Sequence, residues 1–155
     1  MPRTWVWLQL IIGWLPIGAL FSVLIMTAHG VSAGAAMVIA LRMVACAAVL
    51  GLLVHALTGR LPWPHPFRLR FIGVHVVLAA AYALSWLLLN SVIESLLHGR
   101  PVVVIGPGLA PYLVTGVWLY VMVAGVAYAT RAAVRSSELA TLEARSQLAA
   151  LRAQL

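Results

Sequence analysis

The chain has 155 residues, of which 64% are hydrophobic and 8% are charged, and its formal net charge is +7. Soluble domains carry about a quarter charged residues, and a domain of 16.6 kDa leaves much of its surface in water. The composition therefore excludes an ordinary soluble domain and indicates a membrane protein. The excess positive charge comes from Arg alone, since Lys and Asp are absent. In so apolar a chain, the position of each Arg is informative about membrane topology.

Four apolar segments reach the about 20 residues that are needed to cross about 30 Å of hydrocarbon. They are Trp5–Ala28, Val31–Leu57, Leu69–Ile93 and Leu109–Thr130. Continuous apolar runs without alternation favour helices over the strands of a barrel. We therefore predict an all-α protein with a four-helix transmembrane bundle over residues 1–130 and a cytoplasmic helix over residues 131–155.

Small residues recur where the second span begins. Gly30 and Gly34, together with Ser32 and Ala36, share one face of the predicted helix. Such faces allow close contact between membrane helices. We expect this one to pack within the chain, with dimerisation as the alternative.

The Arg residues cluster in the second connection and after the fourth span. The former are Arg60, Arg68 and Arg70, and the latter are Arg131, Arg135, Arg145 and Arg152. By the positive-inside rule, both termini and the second connection are cytoplasmic, and the other two connections face outward. Trp63 lies beside the first Arg cluster, so Arg60, Trp63, Arg68 and Arg70 are predicted to anchor the chain to anionic lipid headgroups. A cytoplasmic protein partner is the alternative for this surface.

Arg42 lies deep within the second span, where a charge costs several kcal/mol. At 1.5 Å per residue it lies roughly 22 Å from the cytoplasmic end of its span. Four polar residues of other spans fall at or above that depth: Ser85, Asn90, Tyr112 and Thr115. Glu94 is expected nearer the outer surface, too high for a direct ion pair. We predict that Arg42 faces protein and forms a signal-sensing site with the other four, and snorkelling to the interface is the alternative.

The histidines raise the possibility of haem. His55 and His75 lie toward one side of the membrane, and His29 and His98 lie toward the other, as in bis-His membrane cytochromes. The inner pair differs in depth, however, and the outer pair lies in or beside connections. The single cysteine, Cys46, excludes an internal disulfide and a multi-thiolate metal site. We therefore predict no cofactor and no metal, and a haem-carrying electron-transfer or accessory subunit is the alternative function.

The composition changes from Arg131 onward, where Gly and Pro are absent and helix-forming residues dominate. A heptad seam with some polar positions is predicted at Val134, Thr141, Ala144, Leu148, Leu151 and Leu155. We expect one helix to continue from the fourth span into this tail. Since no cap or stop signal precedes the last residue, we also expect further sequence to follow.

The segment Leu142–Leu155 reads Leu-Glu-Ala-Arg-Ser-Gln-Leu-Ala-Ala-Leu-Arg-Ala-Gln-Leu. It resembles the linker of sensor histidine kinases of the LytS/YehU type, in which Leu-Arg-Ala-Gln-Leu is followed at once by an Asn-Pro-His-Phe-Leu-Phe-Asn box. Pro111–Tyr120 is similar to the last membrane helix of four-span members of that family. The second connection, around Arg60 and Trp63, has a weaker likeness. The main resemblance covers the C-terminal third of the chain.

The resemblance implies that the complete protein is a homodimeric, ATP-using kinase of the bacterial cytoplasmic membrane. Its partner would be a response regulator, in this family often one with a LytTR-type DNA-binding domain. No histidine of this chain lies in the phosphoacceptor box, and no Gly-rich ATP lid is present. No catalytic residue is therefore carried over. The chain is expected to be a sensing and transmission module that contacts membrane lipid and does not bind nucleic acid directly.

Overall fold

The computed structural model describes residues 3–64 and 69–154, with side chains over 13–64, 69–150 and at 152. It consists of four α-helices and a short 3-10 turn at Gly106–Gly108, and the ranges described contain no strand. The helices are α1 (Arg3–His29), α2 (Ala33–Arg60), α3 (Leu69–His98) and α4 (Leu109–Gln154). The prediction of an all-α protein is confirmed. The 46-residue α4 runs unbroken through the predicted end of the fourth span into the tail.

Three of these helices, α2, α3 and α4, are long and apolar enough to cross a membrane. The best windows of α2 and α3 have mean hydropathies of 2.5 and 2.0, and that of α4 has 1.7. In α1, the part with described side chains is the shorter apolar helix Gly13–His29. Length and composition thus indicate a membrane protein.

Side-chain contacts fix the relative direction of α2 and α3. The Tyr82 hydroxyl donates to the carbonyl oxygen of Ala47 at 2.9 Å, and Trp86 Nε1 donates to that of Met43 at 3.0 Å. A helical carbonyl oxygen has a second lone pair for such a bond. As residue numbers rise along α3, those of its partners fall along α2, so the two helices are antiparallel.

Helix α4 packs against both α2 and α3. The ring centroids of Tyr112 on α4 and Trp86 on α3 are 5.8 Å apart. The Tyr120 hydroxyl is hydrogen-bonded to His75, which lies nearer the N-terminus of α3. The α1–α2 turn and the α3–α4 connection therefore lie together, at what we call the hairpin end. We call the opposite end, where α4 leaves the other helices, the tail end. Among the described residues, α1 makes close backbone contact with α2 alone.

The short turn between α1 and α2 explains Gly30. This residue has φ of 63°, a left-handed conformation that favours glycine, and its N–H donates to the Met26 carbonyl. Ser32 then caps α2 by accepting from the Ala35 N–H. A Cβ added at Gly34 would meet nothing within 4 Å. The prediction that Gly30 and Gly34 pack against another helix of the chain is therefore wrong, because both glycines are exposed, and of the predicted face only Ala36 is buried.

The close contact between helices lies instead at Gly116 of α4. A Cβ added there would lie 2.7 Å from the Cα of Ala83 on α3. Both residues are buried. Such a pair of small residues lets two membrane helices approach closely and gain van der Waals contact. It fixes the depth at which α4 lies beside α3, and hence which α4 side chains reach the hairpin end.

Candidate functional site

Arg42 of α2 forms an ion pair with Glu94 of α3 near the hairpin end. Their side chains are 20% and 25% exposed, so the pair is mostly withdrawn from the surface. Glu94 also lies beside His98, whose Nδ1 is 3.4 Å from the carboxylate. The expectation that Arg42 faces protein agrees with this geometry. The expectation that Glu94 lies too high for a direct pair is wrong.

Cα positions along each helix overestimate the distance between the Arg42 and Glu94 side chains. Side chains of a helix lean toward its N-terminus. The N-terminus of α2 is at the hairpin end, so Arg42 leans toward Glu94. Because α3 is antiparallel to α2, Glu94 leans in the opposite direction, toward Arg42. The direction of both side chains thus shortens the gap that the Cα count suggested.

Asn90 lies one turn before Glu94 on α3 and is 5% exposed. Its Nδ2 donates to the Trp86 carbonyl at 2.9 Å. Since a carbonyl can only accept, the amide nitrogen must face it, and the orientation of the Asn90 amide is thereby fixed. The Asn90 Oδ1 is then buried without a hydrogen-bond partner among the described residues, as is Arg42 Nε. A buried polar group left unpaired costs about 1–3 kcal/mol.

Arg42, Asn90 and Glu94 line a cavity of about 420 Å³ at the hairpin end. All four helices contribute to its wall. Phe21 and Trp86, with ring centroids 6.4 Å apart, lie on its tail-end side. The remaining lining is mainly apolar. The cavity therefore combines an apolar wall with a small number of buried polar groups, which is typical of ligand sites.

The α3–α4 connection closes part of this cavity. Val102 and Val104 line it, whereas Val103 and Ile105 between and after them are 67% and 79% exposed. This alternation is that of an extended chain. Ser95 holds the connection in place, because its hydroxyl accepts from the Val102 N–H at 2.8 Å. The cavity wall is thus tied to the end of α3.

Four of the five predicted sensing residues lie around this one cavity: Arg42, Asn90, Tyr112 and Thr115. The Thr115 hydroxyl donates to the Pro111 carbonyl of its own helix at 2.7 Å, so its hydrogen is already used. Ser85 is not part of the site, because it lies on the exposed face of α3. Position along the helix does not determine which way a side chain faces, and the rotation of α3 about its axis places Ser85 outside the cavity. The missed residue is Glu94, and its charge within an apolar helix was the available signal.

A second polar cluster lies at the tail end around His75 of α3. Its Nδ1 is 2.6 Å from the Tyr120 hydroxyl, and its Nε2 is 3.1 Å from that of Tyr128. The Tyr128 hydroxyl donates its single hydrogen to the Leu61 carbonyl at 2.7 Å. His75 Nε2 must therefore donate to Tyr128, and Nδ1 must accept from Tyr120. Both ring nitrogens are occupied, which disfavours His75 as a haem ligand.

Among the described residues, the other histidines are not brought to His75. His55 lies on the exposed face of α2, and His29 and His98 lie at the opposite end of the molecule. Within the part of the chain that the structure describes, no group of three His, Cys, Asp or Glu side chains is placed to hold a metal.

Arg131 ties α4 to the last turns of α2. Its guanidinium donates to the Thr58 hydroxyl at 2.5 Å and also to the His55 carbonyl. The same group fills the space beside Gly59, where an added Cβ would lie 3.1 Å from it. Sequence reasoning used Arg131 for topology alone. The structure adds a contact that fixes α4 at the point where it leaves the other helices.

Three of the four predicted interface anchors, Arg60, Trp63 and Arg70, lie around this end. Trp63 is 49% exposed, and its ring packs edge-on against Phe71 and Tyr128. Arg60 and Arg70 are exposed, and Arg68 lies outside the described residues. The Trp63 side chain therefore packs against the helix bundle and is also partly exposed on its surface.

The projecting part of α4 is exposed on every side from Ala132 to Ala150. Four predicted seam residues lie there: Val134, Thr141, Ala144 and Leu148. The side chain of Leu151 and the whole of Leu155 lie outside the described residues. Leu139 and Leu142, which are not in the predicted seam, are 60% and 59% exposed. The helix thus carries a considerable apolar surface beyond the bundle.

Comparisons with known proteins give no relative for the chain: no family model, no curated sequence and no solved structure matches it.

Proposed function

We propose that this chain is the membrane sensing and transmission module of a two-component sensor histidine kinase. The observation that carries this proposal is the single helix α4, which lines the hairpin-end cavity and also projects from the tail end. Tyr112 and Thr115 of α4 lie at the cavity, and Leu148 lies about nine helical turns beyond Thr115 in the same helix. A change in packing at the cavity would therefore shift or rotate the tail, because a helix transmits such motions along its axis.

The contacts at the tail end support this role. Arg131 and Tyr128 hold α4 to the end of α2 and to the following connection through their hydrogen bonds. These bonds join α4 to its neighbours at the last point before it becomes exposed. A displaced α4 would have to break or rearrange them, so they can distinguish two packing states of the module.

The tail is suited to pair with a second copy. A homodimer would bury Val134 and Leu148, which are each 57% exposed in the single chain. The polar hydroxyls near the membrane are satisfied within the helix: Ser137 donates to Val134 and Thr141 donates to Ser137. Such internal bonds reduce the cost of burying a hydroxyl in an interface. The seam would therefore hold together while remaining weaker near the membrane.

The proposed setting is the bacterial cytoplasmic membrane. All four helices would cross it, with the tail end and both termini in the cytoplasm and the hairpin end outside, in accordance with the Arg distribution. The catalytic core and a response regulator, in sensor kinases of the LytS/YehU type often one with a LytTR-type domain, would act beyond the tail. Membrane lipid would surround the bundle.

The test changes the rotational phase of the tail in the kinase that includes this chain. One Ala inserted after Arg135 rotates everything beyond it by about 100°, whereas seven residues restore the phase of the heptad. We expect the single insertion to lock or invert the phosphorylation output, and the seven-residue insertion to restore most of the regulated output. The measurement is phosphate transfer in membrane vesicles.

Inserting one Ala and seven residues at the same position gives a matched pair, since both lengthen the tail. Equal output from the two variants would contradict the proposal, because a flexible tether is insensitive to phase. The coding sequence beyond codon 155 offers a second test, in which an in-frame Asn-Pro-His-Phe-Leu-Phe-Asn box is the expected result.

A further inference from the structure

The hairpin-end cavity has the size and the lining of a small-molecule site. Its volume of about 420 Å³ falls within the range of about 300–1,000 Å³ that is usual for such sites. Phe21, Ile25 and Ile39 supply apolar wall, and Arg42 and Asn90 supply polar groups. A ligand with an apolar body and one polar head group would match this lining of apolar and polar residues.

The charges of the site indicate a neutral head group. Arg42 and Glu94 form an ion pair, so their formal charges cancel. An anionic head would compete with Glu94 for the guanidinium, and a cationic head would compete with Arg42 for the carboxylate. Either competition would break an ion pair that is mostly withdrawn from solvent, and would leave one charge without its partner.

The unpaired polar atoms indicate which hydrogen bonds that head group must form. Asn90 Oδ1 needs a donor, and Arg42 Nε needs an acceptor. A hydroxyl group does both, since it has one O–H and two lone pairs. A purely apolar molecule would leave both atoms unpaired.

The cavity is only partly enclosed, and exposed residues of α1 form part of its wall. Leu24 and Ala28 of α1 line it and are also exposed on the outer surface of that helix. Within the described residues, α1 makes no close backbone contact with α3 or α4. An apolar molecule dissolved in the bilayer could therefore enter from the side.

We propose that this cavity binds a neutral amphipathic molecule, with a hydroxyl head at Asn90 and Arg42 and an apolar body along α1 and α2. Binding itself does not depend on the proposed function. The role of this molecule as the stimulus rests on that function, because it acts through Tyr112 and Thr115 of α4.

The test measures equilibrium binding of tritiated 1-decanol to the full chain in lipid nanodiscs, with the signal of protein-free nanodiscs subtracted. Unlabelled decanol, decane and decanoate serve as competitors of equal chain length. We expect saturable binding that decanol displaces, and at least about tenfold weaker displacement by decane and by decanoate. Equal displacement by decane would overturn the hydroxyl recognition, and stronger displacement by decanoate would overturn the neutral site.

Two variants locate the binding. Ala28→Trp fills the cavity from α1 without removing a polar group, and should abolish saturable binding. Asn90→Leu removes the hydrogen-bond acceptor and should weaken binding about tenfold. Ser85→Ala is the matched control, because it alters a polar residue of α3 that lies outside the cavity, and it should bind as the unaltered chain does.

Unchanged binding by Ala28→Trp, or no saturable binding to the unaltered chain, would show that the cavity is not the site or holds only water. Either result overturns this inference and leaves the insertion test of the tail unaffected. Conversely, decanol binding can succeed while the two insertions give equal output. The binding site would then stand, and the proposed signalling function would fail.

Discussion

Arg42 and Glu94 show how a charge can be kept within an apolar helix. Arg42 lies on α2 and Glu94 lies on α3, and each supplies the opposite charge at the point where the other, if unpaired, would have a high desolvation cost. Pairing offsets part of the desolvation cost, and the partial exposure of both groups lowers that cost further. The pair therefore also selects one relative depth of α2 and α3.

This pair leads to a prediction for single and double variants. Arg42→Leu or Glu94→Leu alone should lower the free energy of unfolding by about 1–3 kcal/mol, because the remaining charge loses its partner. The double variant should lose less than the sum of the two, with a coupling energy of about 0.5–3 kcal/mol. Thermal unfolding of the purified chain in detergent micelles measures these differences.

Arg100→Leu is the control for this cycle. It removes the same charge from an exposed position in the α3–α4 connection, so stability should change by no more than about 0.5 kcal/mol. Additive losses in the double variant would show that Arg42 and Glu94 do not interact. The snorkelling alternative would then be preferred for Arg42.

At the scale of the helices, the contact between α3 and α4 depends on Gly116. Ala83 is opposite this glycine and leaves no room for a methyl group. The aromatic contacts of Tyr112 and Tyr120 lie on either side of this point along α4. A local separation of the two helices would therefore disturb both the cavity and the His75 cluster.

Gly116→Ala should consequently destabilise the protein by about 1–3 kcal/mol, the usual cost of overpacking. Gly125→Ala is the matched control in the same helix, because its added Cβ meets nothing within 4 Å. This control should be neutral or stabilising by up to about 1 kcal/mol, since Ala favours the helix over Gly. The midpoints of thermal unfolding compare the two, and an equal change in both variants would show that the contact is not close.

At the scale of the whole molecule, the two ends differ in chemistry. The tail end carries exposed Arg60 and Arg70 together with Arg131, whereas the hairpin end carries the Arg42–Glu94 ion pair, exposed Arg100 and exposed apolar residues such as Ile105. The proposed cytoplasmic location of the tail end rests on this asymmetry.

Labelling of single cysteines in intact cells tests this orientation. In a Cys46→Ala background, Arg100→Cys should react with a membrane-impermeant thiol reagent, and Arg60→Cys should react only after permeabilisation. Cys46 is buried, so its replacement removes background without altering an exposed surface. The reverse pattern of labelling would invert the topology.

The composition of each segment alone determines much of the secondary structure of this protein. Continuous apolar runs predicted all four helices, and the absence of Gly and Pro after Arg131 predicted that α4 continues into the tail. Gly30 and Ser32 carry the ordinary signals of a turn and a helix cap, whereas the packing role that the small-residue pattern predicts for Gly30 and Gly34 is wrong.

Only the tertiary structure decided how the helices are rotated and paired. It turned Asn90 toward the cavity wall and Ser85 outward, although both are polar residues of α3. It also brought Arg42 to Glu94 and Gly116 to Ala83. The physical reason is that lipid and the protein interior are both apolar, so hydropathy alone does not distinguish the buried face of a membrane helix from its lipid-facing side. Close packing and a few polar contacts make that choice, and they depend on several helices at once.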